Sequence, residues 1–194
     1  MKNLLSKTPK ILVLGDLILD EYLWGFCERI SPEAPVQIVN IENNSYVLGG
    51  AGNVVNNLKI LGADVDFVSV LGNCETSKKA KELLKNIDVS TKFLIAEEER
   101  VTSKKSRIIS SQQQVVRFDH ENKNPIKNTS YKKIIKHFQE NIAEYDAILL
   151  SDYGKGLLTF DLTKEIIKLA NNNNKKVLVD PKGQDYSKYK GSFF

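Results

Sequence analysis

Cysteine, histidine and arginine are scarce in this 194-residue sequence, and the scarcity of the first two limits the kinds of site it can hold. The two cysteines, Cys27 and Cys74, lie far apart, and neither His120 nor His137 is near them in the chain. No zinc-finger spacing and no CxxC redox pair can be made from these residues. We therefore expect no structural metal site, and we interpret both cysteines as buried free thiols.

The sequence also lacks long apolar runs and clustered basic residues. No apolar stretch approaches the length needed to span a bilayer, and the start, MKNLLSKTPK, has no apolar core of the kind found in signal peptides. The formal net charge of +4 comes from 28 Lys and Arg residues spread along the whole chain. Since nucleic-acid-binding proteins concentrate such residues on one face, we expect a cytoplasmic protein with neither a nucleic-acid nor a membrane partner.

What the sequence does contain is an alternation of short apolar runs and helical patterns. Hydrophobic residues make up 41% and charged residues 27%, as in ordinary globular proteins, and the length suits a single domain. Predicted buried strands cover residues 11–14, 65–70, 147–150 and 177–179. Predicted helices cover residues 53–61, 77–86, 130–142 and 162–170. This alternation predicts an α/β fold with a mostly parallel sheet and helices on its faces.

Two stretches break this alternation. Residues 34–47 and 92–119 are extended and rich in β-branched residues, without a long helix inside either group. They predict a small antiparallel sheet standing off the main one. One face of such a sheet needs cover, so we expect it to serve as a lid over a ligand, as a homodimer interface, or as both.

A glycine cluster, GGAGN, precedes the first predicted helix. The spacing of Gly49, Gly50 and Gly52 fits neither the dinucleotide fingerprint nor the phosphate loop of nucleotide triphosphatases. Glycines here would let the backbone approach a ligand closely, and Asn53 could bridge adjacent hydroxyl groups. The alternative is a plain strand-to-helix turn in which Asn53 caps the helix.

Two carboxylates follow the first predicted strand. Asp16 and Asp20 lie in the segment GDLILD, which we interpret as a turn at the carboxyl end of that strand. Ligands of open α/β sheets bind at this end of the strands. Carboxylates there could accept hydrogen bonds from the hydroxyl groups of a polyol. For Asp20 alone, a solvated loop residue is the alternative interpretation.

These strings together resemble those of the ribokinase-like (PfkB) family of sugar kinases. The glycine cluster, VLGD at 13–16 and LGADVDFVSVLGN at 61–73 carry that resemblance. Four further strings are similar to the heptose 7-phosphate kinase branch, in which a kinase half is joined to an adenylyltransferase half. They lie at residues 29–41, 103–121, 149–156 and 177–191.

The resemblance implies a doubly wound α/β body with a small β lid, of which this chain would hold the N-terminal part over residues 1–194. It implies a kinase that uses ATP and magnesium to phosphorylate the C1 hydroxyl of D-glycero-β-D-manno-heptose 7-phosphate. That product leads to ADP-heptose for lipopolysaccharide. Gly49, Gly50 and Asn53 would then belong to a sugar-binding loop, with ATP bound elsewhere.

The predicted lid carries candidate ligands for the phosphate of such a sugar. Arg107 is the first choice, because its fork matches phosphate oxygens, and Lys104 is the second. Strand alternation places Lys105 on the same face as Arg107 and Lys104 on the opposite face. A solvated charged strand is the alternative interpretation for each of them.

Two later strings also end predicted strands. Asp152 and Lys155 lie in SDYGKG, which by the resemblance borders the sugar-phosphate site. Asp180 and Lys182 lie in VDPKG, where they would approach the region of phosphoryl transfer. All four are expected at the carboxyl edge of the sheet.

The family's catalytic base belongs to a GAGD motif, and that string does not occur in this sequence. We therefore expect the 194 residues to carry the sugar-binding half and the lid, and to be inactive alone. Two alternatives stay open. One is a non-catalytic sugar-binding or lid-dimerisation module, and the other is a PfkB-like kinase for ribose, fructose 6-phosphate or a nucleoside.

Overall fold

The computed structural model describes residues 7–193, which form two sheets flanked by helices. The strands are β1 (Lys10–Gly15), β2 (Leu17–Ile30), β3 (Gln37–Gly50), β4 (Asp64–Gly72), β5 (Leu94–Glu97), β6 (Lys104–Ser110), β7 (Gln113–His120), β8 (Ala147–Ser151) and β9 (Lys176–Asp180). The α-helices are α1 (Ala51–Ile60), α2 (Glu75–Asn86), α3 (Asn128–Asn141) and α4 (Phe160–Asn172). None of these helices is both long and apolar enough to cross a membrane.

The larger sheet has the strand order β5-β4-β1-β8-β9 and is parallel throughout. Its central strand is buried from both sides, and Leu12, Val13 and Leu14 have no solvent exposure. Val13 packs in one core cluster with residues of α1 and α2, whereas Leu12 and Leu14 pack in a second cluster with residues of α3 and α4. The predicted doubly wound α/β architecture is confirmed.

Each predicted helix is present, and each begins two residues earlier than its apolar pattern indicates. In α4 the buried residues include Leu162, Ile166 and Ala170, spaced by one turn along a single face. Thr159 caps this helix by accepting a hydrogen bond from the backbone N–H of Leu162 at 3.3 Å. The first turn needs a cap more than it needs apolar side chains, so periodicity alone misses it.

The smaller sheet, which we call the lid after its predicted role, has the strand order β3-β2-β6-β7. β2 pairs antiparallel with β3, and β6 with β7, but the two hairpins join through a parallel pairing of β2 with β6. The lid is therefore two antiparallel hairpins placed side by side.

Two details of the predicted lid were wrong. The segment GDLILD is not a turn, because the chain bends only at Asp16 and then continues as the long lid strand β2. In addition, β5 lies within the predicted lid stretch but pairs with Ser69–Gly72 at the edge of the main sheet. Leu94 is buried there against the core beneath α2, and this burial draws the strand away from the lid.

Replacing Ile148 with alanine is expected to lower the free energy of unfolding by about 2–5 kcal/mol, because a buried cavity would remain. Ile148 lies in β8 and has 0% exposure, whereas Ile60, at the end of α1, is 75% exposed. The same replacement at Ile60 should change the free energy by no more than about 0.5 kcal/mol. Urea unfolding followed by circular dichroism measures both, and equal losses would contradict the packing described.

Candidate functional site

The carboxyl ends of the parallel strands gather several of the predicted site residues. Asp16 follows β1, Asp152 follows β8 and Asp180 is the last residue of β9. Residues 151 and 180 are direct neighbours in the sheet, as are residues 15 and 151. The prediction that these carboxylates share one edge of the sheet is therefore confirmed.

The Asp16 carboxylate is committed to the loop that follows β8. It is 4% exposed and accepts hydrogen bonds from the backbone N–H groups of Tyr153 at 2.9 Å, Lys155 at 3.1 Å and Leu157 at 3.4 Å. Burial raises the pKa of Asp16 above its ordinary value, although these hydrogen bonds oppose the shift. The side chain thus shapes the loop 152–157, and direct contact with a ligand stays a prediction.

The glycine cluster brings the first helix close to the lid strand β2. Gly50 is the N-cap of α1 and has φ +55°, which favours glycine, while the N–H of Ala51 donates to the carbonyl of Asp16 at 3.0 Å. A Cβ atom at Gly49 would lie 2.0 Å from Oδ2 of Asp20. Asn53 is exposed in the first turn and does not cap the helix. The capping role of Asn53 is therefore wrong, whereas the strand-to-helix turn of that alternative is present, because β3 ends at Gly50 and α1 begins at Ala51.

Asp20 and Arg107 form an ion pair on one face of the lid. Nη1 of Arg107 lies 2.5 Å from Oδ1 of Asp20, and the two side chains are only 19% and 17% exposed. The guanidinium also lies over the ring of Tyr22, 5.2 Å from its centroid. The hydrogen bond to Asp20 raises the pKa of Arg107. The structure thus brings Arg107, Asp20 and Gly49 together.

Lys104 lies on the opposite face of the lid, as strand alternation predicts. Its ammonium is 2.9 Å from Oε2 of Glu21, which also accepts a hydrogen bond from the hydroxyl of Ser106 at 2.5 Å. Burial acts to raise the pKa of Glu21, but the hydrogen bonds from Ser106 and Lys104 hold it below its ordinary value. Lys104 is therefore not brought to Arg107.

The carboxylate of Asp152 forms hydrogen bonds with other groups of the protein. Its Oδ2 accepts hydrogen bonds from Nζ of Lys188 at 2.6 Å and from the hydroxyl of Tyr189 at 2.7 Å, and its Oδ1 accepts one from the N–H of Gly154 at 2.7 Å. These contacts fasten the segment after β9 to the loop 152–157. Nothing in the spacing of the sequence indicates Lys188 or Tyr189 as partners, because both come from a later turn of the chain.

Lys155, Asp180 and Lys182 complete the predicted set. The ammonium of Lys155 is paired with the carboxylate of Glu121, which follows the lid, whereas Asp180 and Lys182 are exposed at the edge of the sheet. Tyr153 lies within the electrostatic influence of both Asp180 and Asp20, and burial together with these two charges raises its pKa.

Sequence reasoning missed both Glu121 and Tyr153. Both residues lie in strings that carry the family resemblance, Tyr153 in SDYGKG and Glu121 at the end of residues 103–121. That position was the only signal in the sequence that could have indicated them.

The arrangement suits a polar ligand with several hydroxyl groups. Asp20 supplies carboxylate oxygens, Arg107 a cation, and the glycines a backbone surface without side chains. Within residues 7–193, no group of three or more His, Cys, Asp or Glu side chains is placed to hold a metal ion.

Comparison with known proteins assigns the chain to a family. Residues 8–191 match the family described as pfkB family carbohydrate kinase. The chain belongs to this family. Among curated pfkB relatives it is 60% identical over 190 residues to "Bifunctional protein HldE" of Aliarcobacter butzleri, covering 98% of this chain and 40% of that protein. It is 53% identical over 193 residues to the protein of the same name from Sulfurimonas denitrificans, covering 100% of this chain and 40% of that protein.

This pfkB-family chain thus spans about 40% of the length of the curated relatives it matches. Solved structures share its fold at low identity. Arabidopsis thaliana ribokinase complexed with ribose and ATP aligns with a TM-score of 0.66 and 15% identity, over 96% of this chain and 59% of that one. The tetrameric inhibited form of phosphofructokinase-2 from Escherichia coli gives 0.65 and 16%, over 94% and 58%.

Replacing Glu21 with glutamine is expected to cost about 1–3 kcal/mol of unfolding free energy at pH 7, because charged hydrogen bonds are lost. The pKa of Glu21 is lowered from 4.5, so its stabilisation is present above that pH and is lost as the pH falls below it. The difference between variant and wild type should therefore shrink in acid.

Urea unfolding at pH 7 and at lower pH measures this difference. Glu28, exposed in the same strand, provides the control. Glu28→Gln should change stability by at most about 0.5 kcal/mol. A cost for Glu21→Gln that does not vary with pH would contradict the stabilising role of its charge.

Proposed function

We propose that this chain provides the sugar-binding part of a kinase acting on D-glycero-β-D-manno-heptose 7-phosphate. The reaction would transfer the terminal phosphoryl group of ATP to the C1 hydroxyl, on the way to ADP-heptose. The observation that carries the proposal is the Asp20–Arg107 pair held over Gly49 at the carboxyl edge of the sheet. Membership of the pfkB carbohydrate kinases and identity to proteins named HldE support it.

Each residue of this pair has a distinct role in the proposed complex. Asp20 would accept hydrogen bonds from sugar hydroxyls, and the bare backbone at Gly49 would let the ring approach. A guanidinium carries five N–H donors, and Arg107 contacts Asp20 through Nη1. The remaining donors can bind the phosphate already present on the sugar.

The remaining predicted residues take supporting roles. Asn53, exposed in the first turn of α1, would bridge neighbouring hydroxyls, and Lys155 would border the sugar phosphate. Asp16 and Asp152 would act indirectly, through the loop 152–157 that they hold. Lys104 lies on the other lid face, so we assign the sugar phosphate to Arg107 before Lys104.

Asp180 and Lys182 fit the side of the site where ATP and magnesium would be needed. Magnesium bound with nucleotide phosphates commonly takes one or two carboxylates and several waters, and Asp180 offers one exposed carboxylate. Lys182 offers a cation for phosphate oxygens. When bound, ATP supplies the phosphoryl group and magnesium neutralises part of its charge.

Phosphorus NMR of the whole gene product tests the function directly. With ATP and magnesium, heptose 7-phosphate should give a new anomeric phosphate signal, while fructose 6-phosphate and ribose should not. Phosphorylation of one of those two sugars instead would identify a different PfkB-like kinase. Unchanged ATP with all three, in protein that binds the heptose, would favour the non-catalytic sugar-binding module.

Replacing Arg107 with lysine is expected to raise KM for heptose 7-phosphate about tenfold or more, because a lysine lacks the fork that serves Asp20 and phosphate together. Arg29, exposed near the far end of β2, provides the matched control. Arg29→Lys should leave KM unchanged. An Arg107→Lys enzyme with the wild-type KM would remove Arg107 from the site.

We further propose that the protein forms a homodimer through the lid. β7 is an edge strand in which every residue is exposed, and Val116 and Phe118 are 45% and 47% exposed on the face that carries Glu21. An open edge with exposed apolar side chains invites pairing with another chain. A second copy offers the same surface, as a two-fold interface requires.

Replacing Phe118 with aspartate is expected to shift the protein from dimer to monomer, because a charge would be buried at the interface. Sedimentation equilibrium over a range of concentrations measures the change. Ile60→Asp, at an exposed residue at the end of α1 and outside the strands of the lid, should leave the association unchanged. A wild-type protein that is monomeric at every concentration would overturn the dimer.

A further inference from the structure

Lys155 is held at all three of its polar groups. Its backbone N–H donates to Oδ2 of Asp16 at 3.1 Å, and its ammonium is paired with the carboxylate of Glu121. Its backbone carbonyl accepts a hydrogen bond from the guanidinium of Arg100. The first contact comes from the main sheet, and the other two come from the segments that enter and leave the second lid hairpin.

Arg100 is a buried charge with a specific set of partners. Its side chain is 7% exposed and lies 3.6 Å from the carboxylate of Glu97, which is 5% exposed. Besides the carbonyl of Lys155, the guanidinium donates to the carbonyl of Asn124 at 3.2 Å. The second oxygen of Glu97 accepts the backbone N–H of Lys127 at 2.9 Å. A planar fork can serve two carbonyls at once, which a single ammonium does poorly.

These contacts join the two ends of the second lid hairpin, which β6 and β7 form. We call the segments on either side of this hairpin its hinges. Arg100 precedes β6, which begins at Lys104, and Asn124 follows β7, which ends at His120. Both strands of the hairpin therefore leave the body of the protein beside the Arg100 guanidinium.

Two close backbone approaches hold the same region. A Cβ atom at Gly156 would lie 2.0 Å from the carbonyl oxygen of Asn124, and one at Gly72 would lie 1.9 Å from that of Arg100. The loop 152–157, both hinges and the end of β4 are thus packed backbone against backbone. Movement of any one of them requires the Arg100 contacts to adjust.

We propose that Arg100 is a positioning residue that holds Lys155 and the hinges of the second lid hairpin in the arrangement needed to bind the sugar phosphate. This inference rests on the proposed function. Arg100 acts on ligand binding through Lys155, whose carbonyl it holds, and its contact with Asn124 keeps the segment that carries Glu121 beside the same loop. It does not itself touch the ligand. Glu97 balances its charge and orients the fork.

Arg100→Lys in the whole gene product provides the test, with Arg29→Lys as the exposed control. Without ligand, the variant should increase amide hydrogen exchange in residues 152–157 about tenfold, because local opening becomes easier, while exchange in β1 and β8 stays as in the wild type. KM for heptose 7-phosphate should rise about five- to tenfold with kcat within about twofold, as expected when only binding geometry is lost.

A double-mutant cycle with Lys155→Met separates positioning from general destabilisation. If Arg100 acts through Lys155, Arg100→Lys should add less than about twofold to KM in the Lys155→Met background. If Arg100→Lys does not fold, the paired change Glu97→Gln with Arg100→Met removes both buried charges and takes its place.

Unchanged exchange in residues 152–157, or an effect on KM that multiplies fully in the Lys155→Met background, would overturn the inference. Wild-type protein that phosphorylates none of the sugars would instead overturn the proposed function. In that case the exchange measurement alone would decide whether Arg100 holds the loop.

Discussion

The buried carboxylate of Asp16 is the constraint on which the rest of the site depends. Its side chain accepts the backbone N–H groups of the loop after β8, and its own carbonyl accepts the first N–H of α1. One residue at the end of the central strand therefore fixes the position of both the loop 152–157 and the start of α1. Because the carboxylate is almost fully buried, its desolvation is tolerable only with these donors in place.

The lid is organised around a second pair of carboxylates, adjacent in sequence and opposite in direction. Asp20 points to the face that meets the glycine loop and holds Arg107, while Glu21 points to the other face and holds Lys104. In a strand this alternation is unavoidable. The proposed phosphate site and a structural ion pair thus use adjacent residues of β2 on opposite faces of the lid.

Ion pairs orient Arg107 and Lys155 of the proposed site in the absence of a ligand. Arg107 is fixed by Asp20 and by the ring of Tyr22, so less side-chain freedom would be lost when a phosphate binds. The same logic applies to Lys155, which Glu121, Asp16 and Arg100 hold from three directions. Lys155 is thus oriented by residues that the proposed ligand would not touch, whereas Arg107 is oriented by Asp20, which is itself a proposed contact of the sugar.

The sequence by itself determined the α/β class, the four parallel strands that the apolar runs form, the helices that cover them and the carboxyl edge where Asp16, Asp152 and Asp180 meet. These follow from local periodicity and from the rule that parallel strands end together. Only the tertiary structure decided that β5 leaves the lid, that Gly50 rather than Asn53 caps α1, and that Arg107 pairs with Asp20. Those outcomes depend on contacts between residues distant in the chain, such as Arg107 with Asp20. Sequence spacing carries no information about which distant groups will lie together in a buried position.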